Sequence, residues 1–273
     1  MKKDIQKEHN DNIIKQFSKQ AIPFTKIKGH YDSIDTIISM SEVSQDDKVL
    51  DIACGTGIVT CEFAKYAKNV VGLDITKDMI AQAVKAQHEN NLTNIKFDLG
   101  NVENLPYEND SFDIIFTRYS FHHFLDTQKV FDEMIRVCKS NGKIIVVDVA
   151  LENKYALVYN HMEKLRDPSH TKALTFDEFD ILFKNKNLTN HKQSSYKVDM
   201  EVENILSASF PHVGDKDKIR DIFKNNIDTN SLGMHTHLKD DKIYFSYPIT
   251  IFMADKIVSQ KRERGLNTRA PVN

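Results

Sequence analysis

Chain-breaking residues are scarce: the 273 residues include only six prolines and nine glycines. With 40% apolar and 28% charged residues, that composition excludes low-complexity and fibrous classes and predicts a globular protein with a sizeable core, disordered at most at its ends. Cysteine is equally sparse. Cys54, Cys61 and Cys138 form neither an even disulfide set nor a C-x-x-C metal pattern, so a reducing, cytoplasmic setting is expected. Neither sign of charge dominates, since 37 Lys and Arg face 39 Asp and Glu for a net charge of −2. General attraction for nucleic acid or an anionic membrane is therefore absent. No run approaches about 18 uninterrupted apolar residues, and the opening MKKDIQKEHNDNIIKQF has basic residues with no apolar stretch behind them, so neither a standard export signal nor a membrane span is expected.

What is present is a rhythm. From residue 48 to 149, apolar runs alternate with helix-like stretches. Segments 48–53, 69–75, 94–100, 112–118 and 143–150 read as buried strands. Between them, 58–67, 76–91 and 126–140 read as helices. In 76–91 the apolar side is Met79, Ile80, Ala83 and Val84, with Thr76 as N-cap and Asp78 in the first turn. The helix at 126–140 is expected to stop at Asn141-Gly142. Such alternation, with near-continuous Ile and Val, predicts a parallel sheet covered on both faces and, through right-handed crossovers, a doubly wound α/β fold.

After residue 150 the pattern changes to helices at about 154–166 and 175–187, an alternating strand at 191–200, a mostly helical stretch at 201–240 and a long strand at 241–257. Pro248 predicts a bulge or an edge position for that last strand. The chain thus divides into a helical N-terminal lid segment (1–45), an α/β core (46–200), a helical cap insertion (201–240), a final core strand (241–258) and a flexible tail (259–273). As one α/β domain with a cap, it exceeds the commonest domain size of about 100–150 residues without requiring a second core.

The stretch LDIACGTGIVT, residues 50–60, is the first strand-to-helix turn, which in such a sheet lies closest to the ligand. Gly55 and Gly57 satisfy two positions of the nicotinamide signature G-x-G-x-x-G, but the third is Thr60. Asp51 would repel a pyrophosphate by on the order of several kcal/mol. It suits a cation instead, such as a sulfonium cofactor whose methionine part carries an ammonium group. Asp74 ends the second strand at the distance where a carboxylate reaches ribose hydroxyls, a feature shared by NAD and S-adenosylmethionine.

Four stretches, VLDIACGTGIVT, VVGLDITKDMI, FDLGNVENLPYENDSFDIIFTRYSFHHF and VCKSNGKIIVVDV, in this order and spacing resemble the motifs of class I S-adenosylmethionine-dependent methyltransferases. The likeness is nearest to the branch of ubiquinone and menaquinone biosynthesis C-methyltransferases and related bacterial small-molecule methyltransferases. It covers about residues 14–150, and EKLRDPSH extends it further. The resemblance implies a mostly parallel, seven-stranded Rossmann-like sheet, S-adenosyl-L-methionine as cofactor and S-adenosyl-L-homocysteine as product. Backbone around Ala53, Gly55, Thr56 and Gly57 would receive the methionine portion, and Asp51 its amino group. Asp74 would take the ribose diol, and Ile75 and Met79 would pack on adenine. Val102 would line that pocket through its backbone NH, and Arg118 would lie at the methionine end. Where the family usually has an acid for the adenine amino group, this chain has Asn101, whose side-chain carbonyl can also accept.

Methyl transfer from a sulfonium is an in-line displacement, so donor and acceptor must be held at about 3–3.5 Å and water excluded. An acceptor with a proton to lose also uses a base. His122 and His123 follow the fourth strand and are the candidates, against the plainer reading that they orient the next turn. Arg118 has an ion pair as its structural alternative, Tyr119 and Phe121 form either a substrate wall or core, and Phe17 and Phe24 either close on the cofactor or simply pack. His212, His235 and His237 lack a third ligand at a recognisable spacing, so no metal is expected. Neither an Asn/Asp-Pro-Pro-aromatic motif nor a Pro-Cys nucleophile follows the fourth strand, which speaks against nucleic-acid bases as acceptors. The expected partner is a small molecule, with a homodimer left open. Rival readings are an NAD-dependent oxidoreductase, opposed by Thr60 and Asp51, and an S-adenosylmethionine-binding protein that transfers no methyl group.

Overall fold

The computed structural model describes residues 2–24, 33–185 and 187–257. Strands β1 (Lys48–Ile52), β2 (Asn69–Asp74), β3 (Ile95–Leu99), β4 (Phe112–Arg118), β5 (Cys138–Val149), β6 (Leu188–Glu201), β7 (His237–Lys239) and β8 (Lys242–Lys256) form one sheet. Its order is β3-β2-β1-β4-β5-β8-β6, with the short β7 pairing β8 off this path. The first five strands are parallel, and β8 runs antiparallel between β5 and β6. The sheet is α/β and doubly wound, seven strands in line plus the three-residue β7, an element too short to carry a pattern of its own. Helices α1 (Lys2–Phe24), α2 (Ile34–Ser41), α3 (Ile58–Phe63), α4 (Lys77–Glu89), α5 (Thr127–Val137), α6 (Asn153–Arg166), α7 (Phe176–Phe183), α8 (Val202–Ser207) and α9 (Asp215–Thr229) surround it.

Strand alternation splits the core in two. Val49, Ile114, Phe116, Ile145 and Val147 face one side and pack with Phe63 of α3, Met162 of α6 and Phe223 of α9. Leu50, Ile52, Ile115, Ile144 and Val146 face the other and meet Phe131 and Met134 of α5 and Phe179 of α7. Each such fully buried side chain contributes about 1.5–3 kcal/mol. Strands buried on both faces explain the unbroken Ile and Val runs.

Two local expectations are corrected. The helix of 126–140 ends at Val137, because Cys138 already pairs with Phe112 of β4. Gly142 serves a close approach, since a Cβ there would lie 2.7 Å from the Asp113 carbonyl oxygen, while Asn141 takes the left-handed conformation. Pro248 sits in an interior strand, neither at a bulge nor at an edge. It is tolerated because it falls one step beyond the last β5 rung, Val149 with Ile249, where its carbonyl accepts from Ala150 N at 3.3 Å. Helix α7 opens with a reciprocal capping box between Thr175 and Glu178. Thr76 does occupy the N-cap of α4 but makes no side-chain cap bond.

Candidate functional site

Sheet order reverses between β1 and β4, and the carboxyl ends of β1, β2 and β4 enclose there a solvent-open cavity of about 1110 Å³. The turn after β1 passes through left-handed backbone at Ala53, Gly55 and Gly57. It is pinned to β2 by Cys54 N to the Leu73 carbonyl (3.0 Å) and Gly55 N to Asp74 Oδ2 (2.9 Å). The two glycines differ in purpose. A Cβ on Gly55 would meet nothing within 4 Å, so the turn presents bare backbone to open space. A Cβ on Gly57 would lie 2.8 Å from Ala83 Cβ, so this glycine lets α3 pack on α4 and does not line the cavity.

Asp51 faces the cavity at 2% exposure, and its Oδ2 accepts from Thr60 Oγ1 at 2.6 Å. Burial drives its pKa up to about 7, with the charge of Asp74 adding and the Thr60 bond opposing. Asp74 accepts from Gly55 N and, through Oδ1, from Thr76 N at 2.8 Å; burial nonetheless holds it above the usual carboxylate range. Two buried carboxylates thus share one cavity.

Ile75, Met79 and Val102 form an apolar wall, and Asn101 Oδ1 accepts from Glu103 N at 2.9 Å. Across from them, Arg118 Nη2 donates to the Tyr119 hydroxyl at 2.9 Å, and the guanidinium stacks 4.3 Å from the Tyr119 ring centre. The Tyr119 hydroxyl in turn meets that of Tyr196 at 3.0 Å. Helix α1 closes the remaining side through Gln6, His9, Asn10, Ile13 and Phe17. His9 Nε2 donates to the His123 carbonyl at 2.7 Å, and the Phe17 ring meets the His123 imidazole edge-on at 5.0 Å.

Beyond Tyr119 lies a second cavity of about 670 Å³, sharing Phe17, Tyr119 and His123 with the first. Val149, Val198, Met200, Ile205 and Ile249 supply apolar walls; His122, Tyr159, Glu163, Arg166, Asp167 and Tyr247 are its polar members. His122 donates from Nδ1 to Asp148 Oδ1 at 2.7 Å, and His123 from Nδ1 to the Ser169 carbonyl at 3.1 Å. Burial, then the neighbouring His122, pushes His123 down to about 4.

The residues named from sequence therefore converge, with two exceptions. Asp51, Ala53, Gly55, Thr56, Asp74, Ile75, Met79, Asn101, Val102, Arg118 and His123 line the first cavity, Gly57 lines neither, and His122 lines the second. Tyr119 is a wall residue, whereas Phe121 packs in the core against Phe124 and Phe179. The side chain of Phe24 and the tail from 258 lie outside the described residues. Sequence reading gave no role to Asp148, Glu163, Arg166, Asp167, Tyr196 and Tyr247; the visible signals were a carboxylate, Asp148, inside an apolar strand and the stretch EKLRDPSH, which holds Glu163, Arg166 and Asp167. Among the described residues, no group of three or more His, Cys, Asp or Glu side chains is placed to hold a metal ion, and no helix is long and apolar enough to cross a membrane.

Residues 43–226 match the model of a family described as a methyltransferase domain. An uncharacterized methyltransferase of Bacillus subtilis, YcgJ, is 34% identical over 171 residues, 61% of this chain and 68% of the relative. Its crystal structure superposes with a TM-score of 0.78 at 26% identity, over 84% of this chain and all of that one. A demethylmenaquinone methyltransferase of Lactobacillus johnsonii is 31% identical over 46% of this chain, which spans 59% of that relative's length. The phosphoethanolamine N-methyltransferase 2 of Haemonchus contortus, solved with S-adenosyl-L-methionine, shares the fold at 17% identity and a TM-score of 0.61, over 84% of this chain and 53% of that one.

Proposed function

The chain belongs to the methyltransferase domain family, and from that premise we propose that it moves a methyl group from S-adenosylmethionine in the first cavity to a small molecule in the second. One observation carries this reading: Asp51, a buried carboxylate held near neutrality, faces a cavity floored by bare glycine backbone. An ammonium group there restores the charge that burial suppresses. The rest of the donor set fits the same cofactor. Gly55 leaves room for the methionine portion, Ala53 and Thr56 line it, and Asp74 stands ready for the ribose diol. Ile75, Met79 and Val102 offer an apolar slot for adenine, Asn101 keeps a second carbonyl lone pair for its amino group, and Arg118 stands at the methionine end. The bound cofactor supplies an electrophilic methyl carbon; the chain orients it toward the shared Tyr119 and His123 boundary and excludes water.

Segment 1–45 acts as a lid in this reading, since α1 lines the first cavity and is tied to His123 by His9. Residues 201–240 act as a cap that closes the second cavity through Ile205 of α8. His122 and His123 are its candidate bases, and no nucleic-acid partner is invoked. Incubation with methyl-labelled cofactor and a bacterial extract tests it: label should move to a small molecule. Tight cofactor binding with no transfer under any extract would favour a binding protein instead.

A further inference from the structure

The second cavity holds more charged groups than an apolar pocket needs, and each is held by specific partners. Arg166 donates from Nε and Nη2 to Glu163 Oε2 at 2.8 and 2.6 Å, and from Nη1 to Ser209 Oγ at 3.2 Å. Tyr247 donates its hydroxyl to Glu163 Oε1 at 3.0 Å. Asp167 accepts from Ser169 N and Oγ through Oδ1 and from Gln20 Nε2 through Oδ2. The Arg166 guanidinium is thus committed to Glu163, and Asp167 is held by the uncharged donors of Ser169 and Gln20, so these groups shape the cavity with fixed side chains.

One pair is built differently. Asp148 is buried to 1% exposure in the middle of the sheet and is over-determined: Oδ2 accepts from Phe121 N at 2.8 Å, and Oδ1 from Val149 N at 2.7 Å as well as from His122. The His122 backbone is fixed in turn, its carbonyl accepting from Thr171 N and Oγ1 at 2.8 and 2.7 Å. With Nδ1–H committed to the carboxylate, Nε2 is the ring nitrogen left to accept a proton. We propose that Asp148 and His122 are the proton-accepting dyad of the acceptor cavity, Asp148 as positioning residue and His122 as base, and that the acceptor carries an ionisable hydroxyl.

This inference rests on the methyl-transfer reading. As the deprotonating acceptor takes the methyl carbon, the C–S bond breaks with its electron pair staying on sulfur, and the hydroxyl proton moves to His122 Nε2. The cation so formed stays beside Asp148. His123 is the poorer candidate because burial and the His122 charge suppress its basicity and Asp148 does not touch it. Around His122 stand Asp148 from β5, Glu163 and Arg166 from α6, His123 in the same turn, and Asp167 and His170 from the loop after α6. Burial lowers the His122 imidazole, but the Asp148 charge and hydrogen bond outweigh it and leave it above its ordinary value.

The test uses the full chain saturated with S-adenosyl-L-homocysteine and 4-nitrophenol as chromophoric probe. Bound probe should show the phenolate band at a pH where the free compound is mostly neutral. His122→Asn should abolish that band and Asp148→Asn reduce the phenolate fraction about tenfold, one pKa unit of base strength. Independently of any probe, NMR titration should place the His122 ring above the ordinary histidine value and show it falling in Asp148→Asn. A phenolate band surviving in His122→Asn, probe bound only as the neutral phenol, no probe binding, or a His122 ring titrating below the ordinary value overturns the inference. Calorimetric binding of S-adenosyl-L-homocysteine, measured first, reports separately on the methyl-donor reading.

Discussion

The two cavities sit side by side yet anchor most of their charges differently. In the first, Asp51 is buried against a single hydroxyl and Asp74 against backbone NH groups, so negative charge is left for a ligand to answer. In the second, Glu163 answers Arg166 and Asp148 answers His122, while Asp167 is held by the uncharged donors of Ser169 and Gln20. The difference teaches what each is for: a buried carboxylate facing open space is a binding determinant for a cation, whereas ion pairs between side chains define a shape and a proton path.

That contrast can be broken from either side. The largest effect is expected for Arg166→Met, which strands Glu163 at 3% side-chain exposure; a loss of about 3–5 kcal/mol of stability should appear in denaturant unfolding. Asp51→Ala should instead leave the fold intact and cost about 2–5 kcal/mol of cofactor affinity, read by calorimetry. Unchanged affinity would remove Asp51 from the site. Without cofactor, Asp51→Asn should stabilise the protein at pH 8 by on the order of 1–3 kcal/mol. The sign follows from the raised pKa of about 7: above it the folded state carries a buried charge, and as pH falls from that value toward the ordinary carboxylate value of 3.8 the folded state takes up a proton first and the penalty shrinks, reaching zero only below 3.8. The gain should therefore shrink at pH 5; equal gains at both pH values would refute it. The smallest effect is expected for His9→Ala, which deletes one hydrogen bond holding α1 to the turn and should speed cofactor dissociation by a few-fold, about 1 kcal/mol or less.

The same contrast explains how much could be read from sequence. The first cavity is assembled from contiguous stretches, 50–60, 74–79 and 101–102, because a parallel sheet presents successive strand ends at its switch point. Local motifs then supply the cofactor-facing half of the site, while α1 and residues 116–125 close the rest. The second draws side chains from Phe17 to Ile249, brought together by β5, β6, β8 and α6, and no spacing along the chain encodes that. Asp148 was hidden in an apolar run, and Arg166 read as a helix end. Element boundaries failed where tertiary pairing overrode local preference: the Cys138–Phe112 pairing ended α5 early, and the end of β5 made room for Pro248.

The most direct test of the central claim is calorimetry of S-adenosylmethionine binding at pH 7 in two buffers of different ionisation enthalpy, which counts protons exchanged. With burial holding the Asp51 carboxyl partly protonated at pH 7, a cation beside it should release a fraction of a proton, and Asp51→Asn should release markedly less. Binding without proton release in the unmodified protein would contradict the account.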